Sequence, residues 1–274
     1  MNYRHAFHAG NFADVVKHAA LLQMLRSLAD ARAPLDILDT HAGAGVYDLL
    51  GPEAQRSGEA EAGVLRMMAA GDVPAVFDPL IAAVRALNKG GETRLYPGSP
   101  VLAARALRPG DRYLACELRP AEHAALRAAM KPYPGVETRC ADGYRVAMTQ
   151  KPAGGRRLVL IDPPFERPDD YRQAATAAAA LVRGDPKSAV IVWLPLKDLE
   201  TFDGFVRDLE GAVRAPVTIA ETRIRPLNDP MKMNGCALAV IGAPPDFDAT
   251  LSSICGWVAD GLGKDGQARI WTTS

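Results

Sequence analysis

The stretch LVLIDPPFE, residues Leu158 to Glu166, decides how the rest of this chain is read. Four apolar residues in a row suit a strand buried on both faces of a sheet. Asp162 ends the run. Pro163 restricts Asp162 to extended backbone, and Pro164 does the same to Pro163. Neither proline has an N–H to donate. The tip is therefore rigid and rich in acceptors, namely the Asp162 carboxylate and the Pro163 carbonyl, and Phe165 adds a flat apolar face. Two acceptors beside an aromatic plate suit a planar base with an exocyclic NH₂. Bonds from both amine protons draw the nitrogen lone pair out of the ring and make the nitrogen more nucleophilic. Taken alone, the stretch also reads as a Pro-Pro turn that closes a strand. Its place in the chain favours the site.

Outward from it, strand and helix alternate. "LDILDT" (Leu35 to Thr40) is a short apolar run, and "RYLACEL" (Arg112 to Leu118), "VETRC" (Val136 to Cys140) and "SAVIVWLP" (Ser188 to Pro195) read as further strands. Helical stretches stand near 120–130, 143–148, 169–182 and 196–209. "VTIAETRI" and "CALAVIGAP" follow with only a turn-rich linker between them, which suits antiparallel neighbours. A helix near 247–262 and a possible strand, "ARIWTT", close the chain. Ala13 to Asp30 reads as an amphipathic helix. Continuous apolar strands alternating with helices predict a doubly wound, mostly parallel α/β sheet with a late antiparallel pair. Residues 1–49 and 96–274 form that domain. Residues 50–95 carry helices and no good strand, and are expected to be a small helical insertion.

Composition sets outer limits. The 274 residues are 48% hydrophobic, with 32 basic and 32 acidic side chains, so no strongly basic surface is written into the total. No run of eighteen apolar residues suggests a membrane span. The opening "MNYRHAFHAGN" has no apolar core of a secretory signal. The four cysteines are widely spaced, with no CxxC pair, and fit a reducing cytoplasm. His5 and His8 have no neighbouring cysteine to complete a zinc site, and no metal is expected.

Ligands of such sheets bind outside the carboxyl ends of the strands, at the topological switch. Those ends carry Asp39, His41, Gly43 and Gly45 in "DTHAGAG", Glu117, Asp142 in "ADGY", and Asp162. Gly43 and Gly45 permit close backbone approach to a ligand, although a bare strand-to-helix turn also uses them. The dinucleotide fingerprint is incomplete, because Asp48 stands where its third glycine belongs. Glu117 suits a ribose hydroxyl; the expected helical insertion explains its distance from the glycine turn. Ser99 in "YPGSP" suits a helix cap, and Lys17 alone reads as a solvated helix residue.

The order "GAG", ribose acid, "ADG", "DPPF" resembles the S-adenosylmethionine-dependent amino-methyltransferases, whose signature is (D/N/S)-P-P-(Y/F/W). With "YRHAFHAGNFADVVKH", "LDTHAGAG", "YPGSP" and the late "MNG", nearly the whole chain resembles the RlmJ family of bacterial 23S ribosomal RNA adenine N6-methyltransferases. That family often has Tyr where this chain has Phe165, so no phenol hydroxyl is available there. The resemblance implies a class I, Rossmann-like methyltransferase fold. Lys17, His18, His41, Gly43, Ser99, Glu117, Asp142, Gly143 and Asp162 would surround S-adenosylmethionine, which leaves as S-adenosylhomocysteine. Glu117 would hold the ribose, and Asp142 would meet the cofactor's adenine. Asp162 would be the catalytic acceptor. Tyr3, His5, Pro163 and Phe165 would meet the substrate adenine, with residues 1–18 covering the site. Arg56, Arg66 and Arg85 would help the insertion grip RNA, naked or in an early precursor particle, with no obligate protein partner. The implied reaction is direct in-line methyl transfer. The alternatives are a DNA adenine N6-methyltransferase using the same pocket, a nucleotide-cofactor oxidoreductase, a non-catalytic RNA-binding module and a protein glutamine methyltransferase.

Overall fold

In the computed structural model of the chain, residues 5–29, 33–151, 155–228 and 233–273 are described. A short helical turn at His5–Phe7 leads into α1 (Phe12–Ala29) and then β1 (Leu35–Asp39). β2 (Val46–Asp48) opens an excursion through α2 (Pro52–Ser57), a bent stretch Glu61–Leu65 continuing into α3 (Arg66–Ala69), and α4 (Asp78–Leu87), and β3 (Leu95–Pro97) closes it. Then follow α5 (Ser99–Ala106), β4 (Arg112–Glu117), α6 (Pro120–Met130), β5 (Val136–Cys140), α7 (Gly143–Thr149) and β6 (Arg156–Ile161). The rest is α8 (Asp170–Gly184), β7 (Ala189–Leu196), α9 (Leu199–Ala212), β8 (Val217–Arg223), β9 (Gly235–Ile241), α10 (Phe247–Gly261) and β10 (Gln267–Thr272).

Eight strands form one sheet in the order β10-β8-β9-β7-β6-β1-β4-β5. The five strands from β7 to β5 run parallel. β9 lies antiparallel between β7 and β8, and β10 is antiparallel to β8 at the edge. The expected mostly parallel sheet with a late antiparallel pair is present. The chain leaves β1 towards β4 and β5, then returns to place β6 on the other side, so the topological switch lies between β1 and β6.

Strand periodicity sorts the side chains between two cores. Ile37, Leu158, Leu160, Tyr113 and Ala115 face the core shared with α1, α5, α6 and α10. Leu38, Val159, Ile161, Leu114 and Cys116 face the core shared with α7, α8 and α9. The same alternation carries Asp39, Glu117 and Asp162 onto the α1 side as each strand ends.

Two expectations need correction. α1 is not amphipathic in its surroundings: fourteen of its residues are buried, including Asp14, Lys17 and His18. The physical cause is the excursion, whose Phe77, Leu80, Val64 and Met67 join the same core and cover the outer side of α1. Strands also occur where none was legible. β2 and β3 pair antiparallel, Val46 with Pro97 and Asp48 with Leu95, and pinch the base of the excursion. Three residues are too few to display a period of two.

The excursion touches the chain just before α1 at closest range. Val64 N donates to Gly10 O at 2.7 Å. A Cβ on Gly63 would lie 2.2 Å from Gly10 O and 2.7 Å from the Asn11 carbonyl carbon, both backbone atoms. Gly63→Ala should therefore destabilise the protein by about 1–3 kcal/mol, the usual cost of overpacking. Gly71→Ala, where a Cβ would meet nothing within 4 Å, should not. Urea denaturation of both variants checks this; equal midpoints would refute the contact.

Candidate active site

The carboxyl ends of β6, β1, β4 and β5 open into one cleft, enclosing about 1080 Å³ of space continuous with solvent. Lys17, His18, His41, Gly43, Ser99, Glu117, Asp142, Gly143, Asp162, His5 and Pro163 all line it. Tyr3 lies outside the described residues. Strand order sets the layout. Asp162 follows β6, His41 and Gly43 follow β1, Glu117 ends β4 and Asp142 follows β5, so the row spans three inter-strand spacings, about 14 Å.

At the β6 end the chemistry is ionic. Lys17 is not a solvated helix residue. Its side chain is 5% exposed, and its Nζ donates to Asp162 Oδ2 at 2.6 Å and contacts Asp14 Oδ1 at 2.8 Å. The ammonium also lies 5.9 Å from the centre of the Trp193 ring. Burial opposes its charge, but the two carboxylates win and hold its pKa well above the ordinary lysine value. Asp14 Oδ2 accepts from Gly10 N at 2.9 Å and lies 3.0 Å from His5 Nε2. Burial works against the Asp14 carboxylate, yet His5, Lys17 and His18 pull its pKa well below the usual value.

In the middle, Asp39 is buried at the end of β1. Its Oδ2 accepts from Ser99 Oγ at 2.7 Å and Tyr113 Oη at 3.2 Å, and its Oδ1 accepts from His41 N at 3.2 Å. Burial raises its pKa to about 6 despite the Ser99 bond. Ser99 is therefore not the cap of α5. Gly98 takes that position, and the Ser99 hydroxyl is committed to Asp39. His18 Nδ1 shares a 2.8 Å hydrogen bond with Tyr96 Oη, and burial lowers its pKa to about 3. His18 Nε2, buried on the cleft wall, has no hydrogen-bond partner among the described residues.

At the far end, the Glu117 carboxylate accepts from two backbone amides, Gly43 N at 3.1 Å and Arg119 N at 2.7 Å. Burial nonetheless raises its pKa. Asp142 caps α7 by accepting from Arg145 N at 3.2 Å. The next residue must be glycine, because a Cβ on Gly143 would meet Thr40 O at 1.9 Å. Gly43 has φ +65, and a Cβ there would strike Tyr47 Oη at 2.2 Å.

Phe165 departs from expectation. Its ring is not presented to the cleft but buried, 4.5 Å from the Tyr171 ring and 5.8 Å from the Trp193 ring. The backbone turns at φ 48 to put it there, a conformation that costs a non-glycine residue of order 1–3 kcal/mol. An apolar ring with nothing to stack on gains more from the core than from water. Pro163, Pro164, Glu166 and Arg167 remain on the cleft wall.

Several site residues were missed in the sequence. Asp14 sits three residues before Lys17, a spacing that places both on one helix face, so it was findable. Tyr96, Tyr47 and Trp193 gave no signal, because aromatics in short strands read as core. Among the described residues, no group of three or more His, Cys, Asp and Glu side chains is arranged to hold a metal ion. No helix among them is long and apolar enough to cross a membrane.

The strand order, with β9 reversed between β7 and β8 and the cleft at the strand ends beside the switch, defines a Rossmann-like, doubly wound α/β fold. Residues 32–273 match the family described as ribosomal RNA large subunit methyltransferase D, RlmJ. The chain belongs to that family. It is 32% identical over 259 residues to ribosomal RNA large subunit methyltransferase J of Escherichia coli, covering 94% of this chain and 92% of that protein. It is 32% identical over 274 residues to the Haemophilus influenzae protein of the same name, covering 99% and 97%. A crystal structure of a Legionella pneumophila protein superposes with a TM-score of 0.89 at 29% identity, covering 97% of this chain and 99% of that one.

The His41 ring, at the cleft wall, packs edge-on 4.7 Å from Tyr144, and its Nδ1 shares a hydrogen bond with Thr40 Oγ1 at 2.7 Å. Burial lowers its pKa from 6.5 to about 4. A folded-state pKa below the unfolded value stabilises the fold fully above pH 6.5, and this contribution is lost as pH falls through 4. The stability advantage of the wild type over His41→Asn should therefore shrink as pH drops from 6.5 to 4. Urea denaturation at stepped pH reads this, and a constant difference would refute the neutral His41.

Proposed function

We propose that this protein methylates N6 of one adenine in 23S ribosomal RNA by direct in-line transfer, with S-adenosylmethionine as methyl donor and S-adenosylhomocysteine as by-product. The observation that carries the reading is Asp162. It is a carboxylate on a proline-stiffened strand tip, at the cleft wall, with one oxygen held by a buried ammonium at 2.6 Å. The family membership and the names of the two curated relatives support ribosomal RNA as the substrate.

The cleft fits the donor on its own chemistry. The row of strand ends, about 14 Å long, matches an extended nucleoside with an amino-acid arm. Glu117, oriented by two backbone amides, suits a ribose diol. Asp142 beside it suits the amine of the donor's adenine. Gly43 and Gly143, which line the cleft, fit closely against Tyr47 and Thr40. Lys17, His18, His41 and Ser99 complete the wall. When bound, the donor supplies an electrophilic sulfonium methyl.

The chain's own residues then act on the acceptor. The target adenine enters from an unstacked or remodelled strand. Asp162 and the Pro163 carbonyl accept hydrogen bonds from the two N6–H groups, localising the lone pair on nitrogen. Lys17 holds one Asp162 oxygen and leaves the other for the amine. His5, on the cleft wall, meets the substrate adenine. Phe165 stacks on the base after leaving the Tyr171–Trp193 nest. Rate enhancement comes from positioning and electrostatics, with no covalent enzyme intermediate. Arg56, Arg66 and Arg85 on the excursion contact the RNA, naked or in an early precursor particle, with no obligate protein partner. This substrate implies a cytoplasmic protein.

Incubation with S-adenosylmethionine and unmodified 23S ribosomal RNA should yield N6-methyladenosine, detected by mass spectrometry after digestion to nucleosides. Asp162→Ala should abolish it while remaining folded. S-adenosylhomocysteine should raise the melting temperature of the wild type and NADH should not. Product on DNA but not RNA would overturn the substrate, and no product on either would overturn the reading.

A further inference from the structure

Glu59, on the excursion, is not part of the cleft wall, and neither are Asn11 and Asp14. Yet these residues form an unbroken path to Asp162. Glu59 Oε2 accepts from Asn11 Nδ2 at 2.9 Å, and the Glu59 carboxylate lies 3.0 Å from His8 Nδ1. Asn11 Oδ1 accepts from Asp14 N at 2.9 Å, as an N-cap does at the start of a helix. The Asp14 carboxylate takes Gly10 N, His5 Nε2 and Lys17 Nζ, and Lys17 Nζ takes Asp162. The Gly10–Gly63 backbone contact clamps the same segment from the other side.

We propose that this path is the device by which the helical excursion positions the catalytic carboxylate, with Glu59 and Asp14 as positioning residues that act through Asn11 and Lys17. The proposal rests on the reading of Asp162 given above. Prolines fix the backbone of the Asp162 tip, but its side chain can still rotate. Lysine is a point charge on a flexible four-carbon stem, so Lys17 fixes Asp162 only if Lys17 is itself fixed. Asp14 does this from the first turn of the same helix. Its own place depends on the cap at Asn11, which the excursion holds through Glu59. The excursion therefore has a structural duty at the reacting centre besides any contact with RNA.

The ammonium of Lys17 feels Asp14 on its own helix, Asp162 beyond β6, Asp39 after β1, Tyr47 on β2, Tyr96 on β3, Cys236 on β9 and the Trp193 ring on β7, and His5 and His18 share its partner Asp14. Among the described residues, Asp14 and Asp162 bond to it. Loss of the Asp14 charge leaves burial opposed by one carboxylate, so Lys17 should release its proton at lower pH.

The test uses full-length Asp14→Asn and Glu59→Ala. Glu59 is about a third exposed, so its truncation tests the path even if Asp14→Asn does not fold. Each variant is assayed for methyl transfer to unmodified 23S ribosomal RNA across pH, for S-adenosylhomocysteine affinity by calorimetry, and for the Lys17 ammonium signal by NMR. A misplaced reacting group costs up to about a hundredfold. The expected result is a kcat loss of that order for Asp14→Asn and roughly tenfold for Glu59→Ala. The KM for RNA should change far less than kcat, and Glu59→Ala should keep the wild-type affinity for S-adenosylhomocysteine. In Asp14→Asn the alkaline limb of the rate profile and the Lys17 titration should move together to lower pH. Wild-type kcat in a folded Glu59→Ala, or an unmoved Lys17 titration in Asp14→Asn, would overturn the proposal. No transfer by the wild type would instead overturn the parent reading, and the Lys17 titration in the free protein would still judge the path.

Discussion

A buried ammonium between two carboxylates constrains more of this molecule than any other contact. Lys17 lies between Asp14 on its own helix and Asp162 at the tip of β6, with almost no access to water. A charge in such a place is tolerated only when paired and hydrogen-bonded. Loss of either acid would leave the buried ammonium with a single carboxylate partner. The requirement fixes α1 against the carboxyl ends of the central strands. Its exposed side then needs a cover, and the 46–97 excursion supplies it with Phe77, Leu80, Val64 and Met67. The excursion thus shares the core of the sheet domain on the α1 side.

The cleft depends on a second, simpler constraint. Side chains alternate along strands, so Asp39, Glu117 and Asp162 emerge on one face although they lie far apart in sequence. Each is then held by its own donors: Ser99 and Tyr113 for Asp39, two backbone amides for Glu117, and Lys17 for Asp162. Different donors give these acids different characters. Burial leaves Asp39 and Glu117 reluctant to ionise, whereas Asp162 sits against a permanent positive charge. The carboxyl end of the sheet therefore carries buried acids hydrogen-bonded to neutral donors at β1 and β4, and an ion-paired acid after β6.

Phe165 is held away from the cleft. Its ring packs against Tyr171 and Trp193, and the backbone adopts a left-handed φ of 48 to allow it.

Much of this was legible in the sequence, for stated reasons. Buried central strands are continuous apolar runs, so β1, β4, β6 and β7 could be read directly, and DPPF announced a rigid acceptor tip at one of them. Glu117, Asp142, His41 and Gly43 followed from their places at strand ends. Other features could not be read that way. Asp14, Lys17 and His18 look like the polar face of a solvated helix, because burial of that face depends on an excursion packed from elsewhere in the chain. Ser99 looks like a cap, because its partner Asp39 lies 60 residues away. Phe165 looks presented, because its competing neighbours Tyr171 and Trp193 come from α8 and β7. The sequence by itself determined which residues end the strands and what chemistry they carry, since that is local pattern. Which of them meet, and which charges are paired out of water, only the tertiary structure decided, because desolvation and pairing are properties of long-range packing.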